Sequence, residues 1–227
     1  MTLMKKILLL LSFLTLSNAS AATETDPLWN KVLAQYKASN LWVPKEIKTQ
    51  LDAERKDQGN KTSYIKSTLS GWEKQEARYA SINTDSNWQA LPEQKKSADA
   101  INKMLTGLDE LKSSLFEEGI KIQRLENEVL DGKKLGVFLL SDDGAGKQIS
   151  IKIWADPDTA CIVKMNTSMH VTLYADAEFS TRYTEPAKGG LCFRGQMQGN
   201  IDIQIPFKKG KMQIKQNNND WVPKPAN

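Results

Sequence analysis

The residues with the clearest capacity for chemistry lie between 140 and 192. Met165, Met169 and His170 fall within six positions, and thioether sulfur with imidazole is ligation that copper accepts. On an extended chain Met165 and Met169 share a face while His170 points the other way. Met165 also falls in line with Cys161 and Val163, so the group reads as core packing. Gly144-Ala145-Gly146-Lys147 glances at a phosphate-binding loop, but Ser141 stands where its first glycine belongs and Gln148 replaces the magnesium-holding Ser/Thr. Asp156-Pro157-Asp158 lacks the glycine and distal glutamate of a calcium loop and reads as a turn. Glu117-Glu118 and Asp142-Asp143 are adjacent carboxylates, whereas glycoside hydrolysis needs two that face each other across a cleft. His170 is the only histidine, which disfavours a zinc site built on histidines and a Ser-His-Asp triad. These residues predict no enzyme, no metal and no cofactor.

Cys161 and Cys192 are the only cysteines. In an oxidising compartment an even pair is expected to be bridged, and the spacing is not the Cys-x-x-Cys of redox motifs. The bridge would close a loop of about 30 residues and contribute roughly 3–4 kcal/mol by loop entropy. Such a compartment is expected from the N-terminus. Lys5 and Lys6, the apolar run Ile7 to Leu16 and the small residues Ala19-Ser20-Ala21 have the layout of a cleaved secretory signal over 1–21. No later stretch is long and apolar enough to span a membrane as a helix. The 227 residues carry 31 basic and 27 acidic side chains, a net charge of +4 that falls to +2 once Lys5 and Lys6 leave with the signal. That near-balance argues against a nucleic-acid partner. Lys208, Lys209, Lys211 and Lys215 make a basic hairpin tip, read either as edge-strand protection or as docking to anionic headgroups or an acidic partner.

The elements that position these residues are mainly strands. Asp26-Pro27 is a helix start, and Leu28, Val32, Leu33 and Tyr36 predict a short amphipathic helix over 27–38. From Glu46 the period becomes two, with Ile47, Thr49, Leu51 and Ala53 on one face. Ser63, Ile65, Ser67 and Leu69 form the return strand of a hairpin, and a third strand is expected within 73–82. Ala98, Ile101, Met104, Leu105, Leu108, Leu111 and Leu115 predict a helix, the centre of an insertion over about 92–118. Downstream, Asp131-Gly132 is a strong hairpin signal. Ile149, Ile151 and Ile153 alternate before the Asp156-Pro157 turn. Ala160 to Ser168 is a strand with Cys161, Val163 and Met165 facing together. Val171 to Tyr183 reads as one long strand bulged near Ala175, and residues 217–227 read as a frayed tail. The echo of Trp42-Val43-Pro44-Lys45 in Trp221-Val222-Pro223-Lys224 reads as coincidence.

Short turns between successive strands build an antiparallel meander, and a sheet of eight to ten strands curls. The expectation is one α+β domain over 22–227: a curved antiparallel half-barrel with the N-terminal helix and the helical insertion packed on its concave side. This order, with Ile151-Lys152-Ile153-Trp154-Ala155-Asp156-Pro157-Asp158-Thr159 and the return Val163-Lys164-Met165, resembles the periplasmic lipoprotein-carrier fold of LolA and LolB. It is similar, closer still, to exported lipoprotein-sorting-like proteins. The resemblance implies a concave apolar surface that shields a lipid or lipoprotein acyl chain in the periplasm. It also implies a lid-latching arginine, for which Arg55 and Arg78 are the candidates. Ile47, Leu51, Ile65, Leu69, Ile151, Ile153, Val163 and Met165 are the candidate lining residues; the same side chains could instead pack on the helices as a filled core. In that case an envelope protein-interaction module, an assembly factor or inhibitor, is the alternative function.

Overall fold

The protein is described here by a computed structural model covering residues 26–55, 59–92, 116, 121–144, 146–204 and 209–226. The predicted helix forms as α1, Pro27–Ser39. Asp26 caps it: its side chain accepts from the backbone N–H groups of Leu28 and Trp29 at 2.8 and 3.2 Å. Pro27 takes the first turn, where its missing N–H costs no hydrogen bond.

Ten strands follow: β1 Trp42–Arg55, β2 Gly59–Glu73, β3 Glu76–Thr84, β4 Lys121–Leu130, β5 Lys133–Gly144, β6 Lys147–Ala155, β7 Ile162–Val171, β8 Ala175–Tyr183, β9 Arg194–Ile203 and β10 Gly210–Pro223. All neighbours are antiparallel, in the order β3-β2-β1-β10-β9-β8-β7-β6-β5-β4. The architecture is a curved, open half-barrel with an N-terminal helix, as the alternating runs predict. Asp131 and Gly132 both take positive φ, at 51° and 79°, and so close the β4–β5 hairpin as the Asp-Gly pair demands. The helix predicted over 97–115 lies outside the described residues; of the expected insertion over 92–118, only residues 92 and 116 are described. Phe116 is buried, with its ring 3.9 Å from that of Tyr36 and 6.1 Å from that of Trp29.

Strand register sorts the side chains onto two faces, because residues paired across strands share a face. One face, hereafter the helix face, carries Leu51, Ile65, Phe138, Ile151, Ile153, Met165, Phe179 and Ile214. The core under α1 lies on it: Trp29, Val32 and Tyr36 pack against Phe138, Leu140, Ile149, Ile151, Ile153, Ile162 and Met165. The other face is mainly polar, with one small apolar cluster of Leu135, Val137 and Trp154.

Three expectations are corrected. First, β10 runs through Asn217–Asn219 to Pro223, so this stretch of the expected 217–227 tail is sheet. The two echoing segments pair with each other: Trp42 with Pro223, Val43 with Val222 and Pro44 with Trp221. Pro44 fits inside β1 because β2 pairs with β1 only from Glu46 onward, leaving no ladder bond there for the missing N–H. Second, the expected strand 171–183 starts later, as β8 Ala175–Tyr183: β7 runs on to Val171, and the β7–β8 corner lies at Leu173, with φ 67° and 73% exposure. No glycine or proline marks that corner. Third, Val163 does not face with Met165. A register shift between Trp154 and Ala155 pairs Ala155 with Ile162, which leaves Val163 as an extra residue of a bulge. Ile162 therefore enters the core under α1, and Val163 packs with Leu135, Val137 and Trp154 on the opposite face.

Candidate functional site

The helix face has two halves. Over β5–β7 it is covered by α1, and Ile151, Ile153 and Met165 are buried in that packing. Over β8, β9, β10 and β1 it continues as a second apolar cluster of Leu51, Ala177, Phe179, Ile201 and Ile214, edged by the half-buried Met169, Met197 and Met212. Met169 touches both clusters and joins them. Phe179 lies flat over Gly199 of the next strand. A Cβ at Gly199 would run into the Phe179 ring, so glycine is the residue that lets the ring settle there. Toward β2 and β3 the face turns polar: Ser67 and Ser81 share a hydrogen bond at 2.9 Å, and Asn83 and Thr49 are buried beside Ile65. The apolar surface thus has a polar end.

Of the eight sequence-predicted lining residues, seven share the helix face. Leu51 and Ile65 are buried outside the α1 contact, Ile47 and Leu69 are half-buried, and Ile151, Ile153 and Met165 lie beneath α1. Val163 stands on the other face. Phe179, Ile201, Ile214, Met197 and Met212, which form or border the second cluster, were not among the candidates. Their alternation in β8, β9 and β10 could have found them, but the hidden hairpin corner at Leu173 blurred the period of β8.

The motifs set aside on sequence grounds fall where turns and core put them. Met165 and Met169 face the helix, whereas His170 is exposed on the opposite face with its Nδ1 2.5 Å from Asp176 Oδ1. Asp142 pairs with Lys147 at 3.0 Å across the β5–β6 turn. Among the described residues no three His, Cys, Asp or Glu side chains gather as a metal site, and no helix is long and apolar enough to cross a membrane. Cys161 and Cys192 are bridged, with their Cα atoms 5.7 Å apart. A bridge of this kind belongs to an oxidising compartment.

Arg124 is the cation that fixes α1 on the sheet. Its Nε lies 3.1 Å from Asp26, Nη1 donates to the Val137 carbonyl at 2.9 Å, and the guanidinium sits 4.7 Å over the Phe138 ring. Arg78, in contrast, pairs with Glu73 beside the β2–β3 turn. On the polar face, hydrogen bonds from Lys152 and Trp154 hold the Glu128 carboxyl below its ordinary value of 4.5. Lys66, with Lys48 beside it, does the same to Glu46. Both groups lose this support as pH falls through the carboxylate range. Burial pushes Tyr79 up to about 12, and its hydroxyl donates to the Pro44 carbonyl at 2.8 Å.

No family model and no curated protein matches the chain. Among solved structures it is similar to a DUF1329 family protein from Desulfovibrio piger, at 9% identity over 88% of this chain and 94% of that one, with a TM-score of 0.41. It is also similar to a LolA superfamily protein from Nitrosomonas europaea, at 10% identity, 87% and 94% coverage and a TM-score of 0.38. A domain from Vibrio parahaemolyticus assigned to outer membrane lipoprotein sorting shows 12% identity, 87% and 94% coverage and a TM-score of 0.35.

Proposed function

We propose that the protein is a non-enzymatic binding or carrier protein of the periplasm that holds a lipid-like or lipoprotein acyl chain against its helix face. What supports this reading is the apolar cluster beyond α1, Leu51, Phe179, Ile201 and Ile214: its own side chains are only 1–8% exposed, and the half-buried Met169, Met197 and Met212 along its border are where a guest would enter. Area burial alone supplies affinity there, at about 0.8 kcal/mol per methylene taken from water. Methionine, unbranched and polarisable, lets such a surface adapt to chains of different length. No catalytic group is needed. Ile47, Leu51, Ile65 and Leu69 belong to this surface, and Ile151, Ile153 and Met165 form the floor on which α1 rests. Export through a signal cleaved after residue 21 brings the single domain, 22–227, to the compartment where its disulfide forms. N-terminal sequencing of the periplasmic protein is expected to begin at Ala22.

Native mass spectrometry of protein purified from periplasm tests the binding. The expected result is a bound lipid mass, together with uptake of a fluorescent fatty acid. A clean apo mass with no uptake contradicts it. The placement of Ile151, Ile153 and Met165 beneath α1 favours a second reading, an envelope interaction module with a filled core. That module would return a specific protein partner under crosslinking and take up no fatty acid.

A further inference from the structure

We infer that the opposite, polar face of the sheet carries a separate binding site: an open trough across β6–β10 that takes an oligosaccharide. Its volume is about 580 Å3. It crosses five strands, four inter-strand steps of about 4.8 Å, and so runs roughly 19 Å. A hollow of about 350 Å3 continues it toward the β7–β8 and β9–β10 turns and shares Glu178, Asn200 and Gln213 with it.

The polar groups in the trough are free of one another. Around it, some polar side chains are engaged, Glu46 with Lys48 and Lys66, Asp52 with Gln50 and Thr62, while others such as Glu54, Asn60 and Lys211 are not, among the described residues. Glu128 holds Lys152 and Trp154 at the trough's β6 end. Inside, the amides of Asn166, Gln198, Asn200 and Gln213 form no side-chain hydrogen bond among the described residues, and neither do the hydroxyls of Ser150, Ser168 and Ser180. Asn166 Oδ1 is screened from solvent and has no donor. A row of amides and hydroxyls with unused hydrogen-bonding capacity therefore lines one hollow.

Charge and shape select the ligand class. Lys215 and Glu178 contribute one charge of each sign, and Lys152 is already neutralised by Glu128, so no cationic surplus awaits a phosphate or an acidic polymer. Phe179 and Ile214 direct their side chains to the helix face, so the trough offers no platform for an acyl chain or an apolar peptide side chain. Amides and hydroxyls each donate and accept, which is what a ligand surfaced with hydroxyl groups requires.

The test is an NMR titration of the 15N-labelled protein with chitotetraose, cellotetraose and maltotetraose. At least one of these is expected to shift the side-chain amide signals of Asn166, Gln198, Asn200 and Gln213 saturably, with little dependence on salt, while Asn127 and Gln216 stay in place. Asn200→Ala combined with Gln213→Ala, both exposed positions, is expected to weaken binding roughly tenfold or more. Its backbone spectrum reports that it is folded. Lys48→Ala, on the same face outside the trough, is expected to bind as the native protein does. The proposal is overturned if none of the three sugars moves these amides at millimolar concentration, or if the double variant binds with unchanged affinity.

Discussion

Arg124 shows how a single side chain sets the position of a whole element. Its guanidinium meets the N-cap carboxylate of α1, a β5 carbonyl and the Phe138 ring, so the helix is fixed against the sheet at its N-terminal end. Gly136 leaves room for it, since a Cβ there would crowd both Arg124 and Leu28. The ion pair is about one-third exposed and contributes little by itself. The charged hydrogen bond to Val137 and the ring contact carry more. Arg124→Ala is expected to destabilise the fold by about 2 kcal/mol in urea titration, and Arg124→Lys to recover less than half of that loss, because lysine lacks the fork. Tyr79 offers a pH test at the same scale. The folded state holds its proton more tightly than the unfolded chain does. Its contribution is therefore complete below about pH 10 and is lost as pH rises toward about 12. Tyr79→Phe is expected to cost about 1 kcal/mol at neutral pH, through the bond to Pro44, and to flatten this alkaline decline in thermal unfolding.

At the scale of elements, the sheet is joined in its middle by a clasp between β1 and β10, two strands far apart in sequence. Trp42–Pro44 pairs with Trp221–Pro223, and Phe193 stacks on Trp221 at 5.0 Å and lies 5.5 Å from Trp42. Lys188 donates to the Trp221 carbonyl and sits over the Trp42 ring. Phe193 is held beside this clasp by its neighbour Cys192, whose bridge to Cys161 anchors the β8–β9 connection to the β6–β7 turn. The opposite end of the sheet has a strained corner at Leu173. Glycine adopts positive φ without the side-chain penalty, and Leu173 is too exposed to contribute packing. Leu173→Gly is expected to raise stability by roughly 0.5–1 kcal/mol in thermal unfolding.

These elements also show which features the sequence could reveal. Helix α1 was legible because Asp26-Pro27 and the 3–4 spacing speak locally, and the β4–β5 hairpin because Asp131-Gly132 does. The Leu173 corner was not, because a leucine took a conformation that the eye assigns to glycine. The face of Val163 was not, because a single extra residue in a bulge inverts the alternation. The clasp was not, because its two strands lie nearly 180 residues apart and each holds a proline. Of the candidate lining residues, those on regular strands were placed on the correct face by period alone. How far α1 covers them was hidden, since helix placement depends on Arg124 and Gly136 rather than on any local pattern.

The molecule as a whole is one open sheet with two different surfaces. The helix face is apolar, with one buried cluster under α1 and a second buried cluster bordered by half-buried methionines. The other is polar and grooved over β6–β10. A domain with this division could keep a greasy ligand on one side while the other meets water or a hydrophilic polymer. The most direct measurement is photocrosslinking of the periplasmic protein with a diazirine-bearing fatty acid, followed by peptide mapping. Labels are expected on β1, β8, β9 and β10, at or beside Leu51, Phe179, Met197, Met212 and Ile214. The absence of specific labelling, or labels confined to the polar face and the hairpin turns, would contradict the acyl-binding surface.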